Sequence, residues 1–207
     1  MLDNGLFPLP PGKLAALVTD LERDLDGISD SVTQPDFVLT NAGFANVSLE
    51  RLKNVTVERY RAVFRAVGQD WLWFSRLRMP LAELRGLLAH PDVHAFALVE
   101  DGQDIGLLEL DLRSSDKPEL AFFGLVASRV GGGLGRRLMQ TALQYAKNLG
   151  AKRLHVHTCS LDHPAALGFY VRNGFVPVRR SVEIFDDPRL DGTLEKEAAQ
   201  WLPLINV

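Results

Sequence analysis

The chain has 207 residues, of which 46% are hydrophobic and 24% are charged, and it carries a formal net charge of -3. This length fits one sizeable domain, and the composition is typical of a soluble globular protein. The small negative charge provides no basic surface field. We therefore expect no nucleic-acid partner.

Three features predict a cytoplasmic location. The single cysteine allows no internal disulfide, which suits a reducing compartment. The N-terminus lacks a basic segment followed by an apolar run, so we expect no secretory signal. No window approaches the roughly 18 apolar residues of a membrane span, so we expect no membrane partner either.

The first 40 residues are interpreted as an N-terminal helical extension, and residues 41–207 as a single domain. Within the extension, four leucines recur every three or four residues and predict a short helix with one apolar stripe: Leu14, Leu17, Leu21 and Leu25. Gly27 is expected to end this helix.

The following segments alternate between strand and helix patterns. Apolar and polar residues alternate between Asp36 and Leu52 and predict one or two strands. A helix is expected to begin at Thr56, continue through Val67 and end at Gly68. A second amphipathic helix is predicted from Leu81 to Leu88.

A β-hairpin is predicted next, with strands at residues 94–100 and 104–112. Asp101 and Gly102 join them, and an Asp-Gly pair readily adopts the positive φ that a tight turn requires. Later in the chain we expect a strand at 153–159, a helix at 164–172 and a strand at 175–185. This order predicts an α/β fold with a mixed, mostly antiparallel sheet and helices on both faces.

The most informative stretch lies between Pro118 and Met139. Leu120–Val126 predicts a mostly buried strand, in which Gly124 indicates a bulge or a close backbone approach. Four glycines then open a helix: Gly131, Gly132, Gly133 and Gly135. The unpaired N–H groups and the positive dipole end of such a helix can hold a phosphate group.

Spacing excludes two nucleotide-binding motifs at this turn. The dinucleotide fingerprint needs glycines at i, i+2 and i+5, and the third position counted from Gly131 is Arg136. The P-loop run Gly-x-x-x-x-Gly-Lys-Ser/Thr does not occur in the chain.

A second motif follows about 30 residues later, at residues 163–175. It fits the pattern Asn-x-x-Ala-x-x-Phe/Leu-Tyr-x-x-x-Gly-Phe at five positions: Ala166, Phe169, Tyr170, Gly174 and Phe175. With the hairpin, the apolar strand and the glycine turn before it, the chain resembles the GNAT superfamily of acetyl-CoA-dependent N-acetyltransferases over roughly residues 46–185. The resemblance implies a GNAT fold that transfers acetyl from acetyl-CoA to a primary amine by direct attack in a ternary complex.

The resemblance also implies a set of site residues. Glu119 corresponds to the general base and Tyr170 to the general acid, and the backbone N–H of Leu125 or Val126 is the candidate contact of the thioester carbonyl. The implied acetyl-CoA contacts are Leu125, Val126, Arg129, Val130, Gly131, Gly132, Gly133, Leu134, Gly135, Arg136, His163, Ala166 and Phe169. At two of these positions the chain departs from the family pattern, because Val130 replaces the frequent Gln or Arg and His163 replaces the usual Asn.

Each catalytic candidate also has a structural interpretation. Glu119 could be a solvated glutamate at the start of a strand, although burial at the end of an apolar strand predicts a raised pKa that suits a base. Tyr170 could be a core residue with a satisfied hydroxyl.

His155, His157 and Cys159 share one strand face, but no second ligand pair with metal-site spacing exists, so we expect no metal. Direct transfer also needs no cysteine nucleophile.

The acceptor is expected to be a small-molecule amine or a peptide amine. Trp71 and Trp73 are predicted to line its pocket, with ordinary core packing as the alternative. Glu109 and Asp111 are candidates for holding a cationic acceptor, together with Asp186 and Asp187, unless these carboxylates only form a solvated face.

Two further possibilities remain open at the level of sequence. The chain could be a non-catalytic module that binds acyl-CoA without transferring the acyl group. It could also form a homodimer, since the sequence does not define its oligomeric state.

Overall fold

The computed structural model describes residues 3–28, 46–53 and 56–205. Seven strands form one sheet: β1 (Lys13–Asp24), β2 (Val47–Arg51), β3 (Val93–Glu100), β4 (Gln103–Asp111), β5 (Glu119–Leu125), β6 (Arg153–Cys159) and β7 (Val176–Asp186). Their order across the sheet is β2-β3-β4-β5-β6-β1-β7. Neighbouring strands are antiparallel except β5 and β6, which are parallel. The predicted α/β fold with a mixed, mostly antiparallel sheet is confirmed.

Five α-helices in the described ranges flank this sheet: α1 (Val57–Gly68), α2 (Ser75–Arg78), α3 (Leu81–Ala89), α4 (Leu134–Asn148) and α5 (Ala166–Arg172). Side chains alternate along β3, so Phe96 packs with the core under α4 while Ala97 packs with the core under α1 and α3. The sheet is therefore covered on both faces, as a layered α/β domain requires.

Local sequence signals determine several of these boundaries. The Thr56 side chain caps α1 by accepting a hydrogen bond from the Arg59 N–H at 3.3 Å. Asp101 and Gly102 have φ angles of 48° and 78° and form the tight turn between β3 and β4. The predictions of helix α1, helix α3 and the hairpin are confirmed.

The helix predicted for the N-terminal leucines is wrong, because this segment is strand β1. It lies inside the sheet between β6 and β7, where Leu21 is opposite Val156 on one side and Pro177 on the other. Side chains alternate between the two faces of a strand, so Leu14 and Leu17 lie on opposite faces of β1. A leucine spacing of three or four therefore does not distinguish this strand from a helix. The predicted boundary at residue 40 lies outside the described residues.

Strands β5 and β6 diverge soon after they meet. The His155 N–H donates to the Pro118 carbonyl at 2.8 Å, and Glu119 is opposite His155. No later residues of these strands are paired with each other within the described ranges, so a gap opens between their C-terminal halves. Because adjacent strands normally satisfy each other's backbone groups, the gap leaves one edge of β5 accessible to a ligand.

Gly124 on β5 is required by a close approach. A Cβ atom there would lie 2.5 Å from Val67 Cγ1 on α1 and 3.3 Å from the Trp73 ring. The bulge of β5 lies elsewhere, between Leu120 and Phe122, where the register with β4 shifts. The close approach at Gly124 is therefore made by side chains and not, as predicted, by another stretch of backbone.

The C-terminal segment packs back onto the domain. Arg189 is almost fully buried; it binds the Asp187 carboxylate at 2.7 Å and donates to the carbonyl groups of Ala198 and Leu202. Among the described residues, no helix is both long and apolar enough to cross a membrane.

Candidate functional site

A cavity of about 450 Å³ lies where β5 and β6 diverge. Its wall combines β5, the end of β6, the glycine turn before α4, and α5. The residues that the sequence connected with acetyl transfer come from these same elements.

The glycine turn forms one end of the cavity. Gly131 and Gly133 have φ angles of 95° and 83°, in a region that favours glycine, and Gly133 is the N-cap of α4. A Cβ atom at Gly131, Gly132 or Gly133 would find nothing within 4 Å, so the turn is open. Its backbone N–H groups and the nearby guanidinium of Arg136, which also lines the cavity, form a surface that suits an anion.

The residues predicted to contact the cofactor divide into two groups. Nine line the cavity: Leu125, Val130, Gly131, Gly133, Gly135, Arg136, His163, Ala166 and Phe169. Val126, Arg129, Gly132 and Leu134 do not. Leu134 is buried under α4, and Arg129 forms an ion pair with Glu100.

The two candidate carbonyl contacts on β5 differ in their hydrogen bonding. The Val126 N–H already donates to the Ile105 carbonyl at 2.9 Å. Backbone groups alternate in direction along a strand, so those of Leu125 point away from β4 into the gap between β5 and β6. Leu125 is therefore the better placed of the two candidates.

Tyr170 on α5 lines the cavity and is 7% exposed. Its ring packs edge-on against Phe169 and Phe175. No hydrogen-bond partner of its hydroxyl occurs within the described part of the chain. Burial raises the pKa of this hydroxyl, so it stays protonated and can act as a donor.

Glu119 does not line the cavity itself, but it binds His157, which does. His157 lines the wall, and its Nδ1 lies 2.9 Å from Glu119 Oε1. The hydrogen bond to Glu119 raises the pKa of His157, and the same bond lowers the pKa of Glu119 although burial opposes it. The expectation that burial would raise the pKa of Glu119 is therefore wrong.

A second acid–histidine pair continues from the first into the protein. His155 is 4% exposed; its Nε2 lies 3.0 Å from Asp20 Oδ1, and its Nδ1 lies 3.7 Å from Glu119 Oε1. Arg179 in turn binds the other oxygen of Asp20 at 2.7 Å. These contacts connect the cavity wall to β1 and β7.

The aromatic wall of the cavity comes from the connection between α1 and α2. Trp71 and Trp73, the residues predicted to line an acceptor pocket, both line the cavity. The indole N–H of Trp73 donates to Asp162 Oδ1 at 3.2 Å, and its ring packs against Phe64 and Phe122. Trp73 thus belongs to both the core and the cavity, while Trp71 lies edge-on to the ring of His163.

The predicted roles of Glu109 and Asp111 in binding a cationic acceptor are wrong. Glu109 is fully buried; it accepts a hydrogen bond from the Tyr60 hydroxyl and binds Arg76 at 2.7 Å. Asp111 binds Arg113 at 2.6 Å, and neither carboxylate lines the cavity. Asp186 and Asp187 do not line it either, and bind Lys13 and Arg189.

Sequence reasoning missed the two carboxylates that do line the cavity, Asp162 and Glu183. Asp162 follows β6 and accepts hydrogen bonds from the Thr158 hydroxyl and the Cys159 N–H. Its position between the end of a strand and the motif at 163–175 was the available signal. Glu183 comes from β7, and no local pattern indicates that β7 reaches this cavity.

Metal and thiol chemistry receive no support from the geometry. Within the described residues, no group of three or more His, Cys, Asp or Glu side chains is arranged to hold a metal ion. Burial raises the pKa of Cys159 to about 11, which keeps it as the thiol rather than the nucleophilic thiolate.

The fold resembles solved structures at low sequence identity. A functionally unknown conserved protein from Staphylococcus epidermidis is 13% identical, with a TM-score of 0.54 over 85% of this chain and 63% of that one. A putative GNAT-family acetyltransferase from Novosphingobium aromaticivorans is 17% identical, with a TM-score of 0.54 over 86% of this chain and 69% of that one. This chain thus spans less than two thirds of the Staphylococcus protein.

A third solved structure matches a smaller share of this chain. An aminoglycoside acetyltransferase from an uncultured soil metagenomic sample, solved in complex with sisomicin, is 16% identical. Its TM-score is 0.52, over 62% of this chain and 88% of that one. No curated protein matches the sequence. The sequence model of the acetyltransferase (GNAT) family matches residues 57–175, which is more than half of the chain, and the protein therefore belongs to the GNAT acetyltransferase family.

Proposed function

We propose that this protein transfers the acetyl group of acetyl-CoA to a primary amine, by direct attack of the amine in a ternary complex. The observation that supports this most is the convergence of four groups on one cavity: the open glycine turn, the free edge of β5, the Glu119–His157 pair and Tyr170. Each group matches one requirement of acyl transfer.

The residues around the glycine turn fit the phosphate part of the cofactor. The turn from Gly131 to Gly135 offers backbone N–H groups at the positive end of α4, and Arg136 adds a full charge. Ala166 and Phe169 on α5 offer apolar contacts for the rest of the cofactor. When bound here, acetyl-CoA supplies an acetyl group activated as a thioester.

The Glu119–His157 pair suits removal of the proton from the attacking amine. In the neutral ring, Nδ1–H donates to Glu119 and leaves Nε2 as an acceptor. We assign His157 as the group that accepts the proton and Glu119 as the group that orients the ring and stabilises its charged form. This refines the assignment of Glu119 as the base, because His157 is the member of the pair at the cavity wall.

Two donors suit the charge that develops on the thioester. The Leu125 N–H is directed into the gap between β5 and β6, where it can stabilise negative charge on the carbonyl oxygen. The protonated hydroxyl of Tyr170 can donate to the sulfur as the carbon–sulfur bond breaks.

The acceptor end of the cavity favours a small cationic amine over a peptide. Trp71 and Trp73 supply aromatic faces, and Asp162 and Glu183 supply negative charge. The similar fold of an aminoglycoside acetyltransferase supports an amine acceptor.

The decisive experiment presents a broad panel of amines with acetyl-CoA and measures release of the free thiol. We expect turnover with one class of amine, and strong loss of turnover in Tyr170→Phe and His157→Gln. If acetyl-CoA raises the melting temperature but no amine promotes thiol release, the protein is a non-catalytic acyl-CoA-binding module. If peptides are acetylated and small amines are not, the acceptor assignment is wrong.

A further inference from the structure

Strand β7 forms one edge of the sheet and carries an exposed apolar row. Val178, Val182 and Ile184 are 53%, 53% and 57% exposed, and Leu17 on the neighbouring strand is 48% exposed. Leu17 is directly opposite Val182, so these side chains share one face of the sheet. Exposed rows of this kind on an edge strand are typical of interaction surfaces.

The outer edge of β7 also presents backbone N–H and carbonyl groups that point away from the sheet. The Leu17 N–H donates to Ser160 Oγ, and the Leu17 carbonyl accepts from the Ser160 N–H. Both backbone groups of Leu17 therefore face β6. Since backbone groups alternate, Ala16 and Val18 bond to Glu183 and Ser181 of β7. The N–H and carbonyl groups of the alternate β7 residues, Arg180, Val182 and Ile184, therefore point outward. No strand is paired beyond them among the residues that the structure describes.

The charges on β7 select one way of pairing this edge with a copy of itself. In an antiparallel pair centred on Ser181, Arg179 of each chain is opposite Glu183 of the other, and Arg180 is opposite Val182. Both charged side chains are accessible, since Arg179 is 67% exposed while it binds Asp20 and Glu183 is exposed. Opposite charges at directly facing positions stabilise a pair of strands.

The two neighbouring registers of this strand pair have less favourable charge contacts. Centring the pair on Arg180 places two arginines opposite each other, which is destabilising. Centring it on Val182 places Arg179 opposite Phe185 and Arg180 opposite Ile184, which leaves both arginines without acidic partners. Pro177 has no N–H and Val178 is the extra residue of a β-bulge, so the regular edge starts at Arg179 and contains the self-complementary segment.

We infer that β7 is the interface of a homodimer, in which two copies of this chain pair antiparallel about Ser181 and join their sheets into one. This proposal does not depend on the acetyl-transfer proposal. It has a consequence for the site, because Glu183 lines the cavity and Arg179 of the second copy would be opposite it. In the dimer this arginine would compensate part of the negative charge of Glu183 and leave Asp162 as the main negative charge for the acceptor.

Disulfide trapping tests both the dimer and its register. Ser181 would face its own copy at a non-hydrogen-bonded position, where Cα atoms are about 4.5 Å apart and a disulfide can form. We expect Ser181→Cys to give a covalent dimer under mild oxidation. Ile184→Cys is the matched control, since its two copies would be about six residues apart, or roughly 20 Å. The natural protein, with Cys159 alone, controls for trapping through that thiol.

Sedimentation of the untreated proteins provides the second measurement. We expect the natural protein to be a dimer, and Val182→Lys to raise the dimer dissociation constant roughly tenfold or more, because a charge then occupies the edge. Leu149→Lys, at an exposed leucine after α4, is the control and should dimerise normally. A natural protein that stays monomeric at all concentrations, or equal trapping by both cysteine variants, would overturn the inference. The first result would mean that the edge is solvated or covered by the chain itself.

Discussion

Glu119 and His157 form a hydrogen-bonded pair at the wall of the cavity, with Oε1 and Nδ1 2.9 Å apart. The pair lies at the last point where β5 and β6 are held together, just before the gap opens. Because Glu119 begins β5 and His157 lies inside β6, the parallel pairing of these strands positions one side chain beside the other. The same divergence thus creates the space for a ligand and places a proton acceptor at its edge.

The first prediction concerns the pH dependence of transfer. His157 must be neutral to accept a proton, so activity should fall as the pH drops through its pKa, which the Glu119 carboxylate raises. Glu119→Gln removes that negative charge, so the pKa of His157 should fall and the acidic limb of kcat/KM should move to lower pH. His157→Gln should reduce kcat by about 10²–10⁴-fold and remove the limb. Activity retained in His157→Gln but lost in Glu119→Gln would make Glu119 the direct base.

The second prediction uses the close approach at Gly124. In Gly124→Ala the new methyl group would overlap Val67 of α1, where a Cβ atom would lie 2.5 Å from Cγ1. We expect a loss of about 1–3 kcal/mol in the free energy of unfolding, since overpacked cores cost that much. Gly132→Ala is the matched control, because its Cβ would meet nothing within 4 Å and its φ is not positive. Urea denaturation of both variants would check this, and equal stability would contradict it.

Sequence patterns predicted most of the fold because each pattern depends only on residues that are close together in the chain. The Thr56 cap, the Asp101-Gly102 turn and the glycines before α4 act within a few residues, and all three lie where expected. Strand β1 was not predicted because its pairing partners lie at least 129 residues away in the chain, as Asp24 and Arg153 do. Its leucine spacing alone fitted the wrong element.

The site was predictable only in part for the same reason. The motif residues Gly131 and Tyr170 line the cavity, whereas the partners of Glu109 and Glu119 depend on which strands become neighbours. The sequence indicated that Glu109 was free to bind an acceptor, but the fold places it under α1 beside Arg76. Whether a carboxylate is available to bind a ligand depends on the charged groups beside it. For Glu109 that group is Arg76, which lies on another element of the chain.

The third prediction concerns the buried ion pair of the C-terminal segment. Arg189 and Asp187 are 2% and 4% exposed, and Arg189 also binds two carbonyl groups of the same segment. Arg189→Met should cost about 3–5 kcal/mol of unfolding free energy, because it leaves the Asp187 carboxylate buried without its partner. Arg153→Met removes exposed ion pairs with Glu22 and Asp24 and should change stability little. Chemical denaturation measures the unfolding free energy of both variants. Equal losses would show that the buried ion pair contributes no more to stability than the exposed pairs.

The fourth prediction concerns His94 on β3, which is 6% exposed. Its Nδ1 lies 2.8 Å from Arg51 Nη2 and 2.9 Å from the Tyr145 hydroxyl, and burial together with the Arg51 charge lowers its pKa to about 4. Between that value and the ordinary pKa of about 6.5, the unfolded chain binds a proton at this residue and the folded chain does not. Stability should therefore fall as the pH drops from 6.5 to 4, with a slope of up to about 1.4 kcal/mol per pH unit from this group.

His94→Gln tests this by removing the titrating group while keeping a polar side chain. Other groups also titrate in this range, so the quantity to measure is the difference in unfolding free energy between the natural protein and the variant at each pH. We expect His94→Gln to be less stable than the natural protein at pH 7, because the packing around the ring is lost. This deficit should shrink towards pH 4, because only the natural protein loses the contribution of a neutral His94. His90→Gln, at an exposed histidine, controls for the loss of one histidine, and a deficit that stays constant with pH would show that His94 does not titrate as inferred.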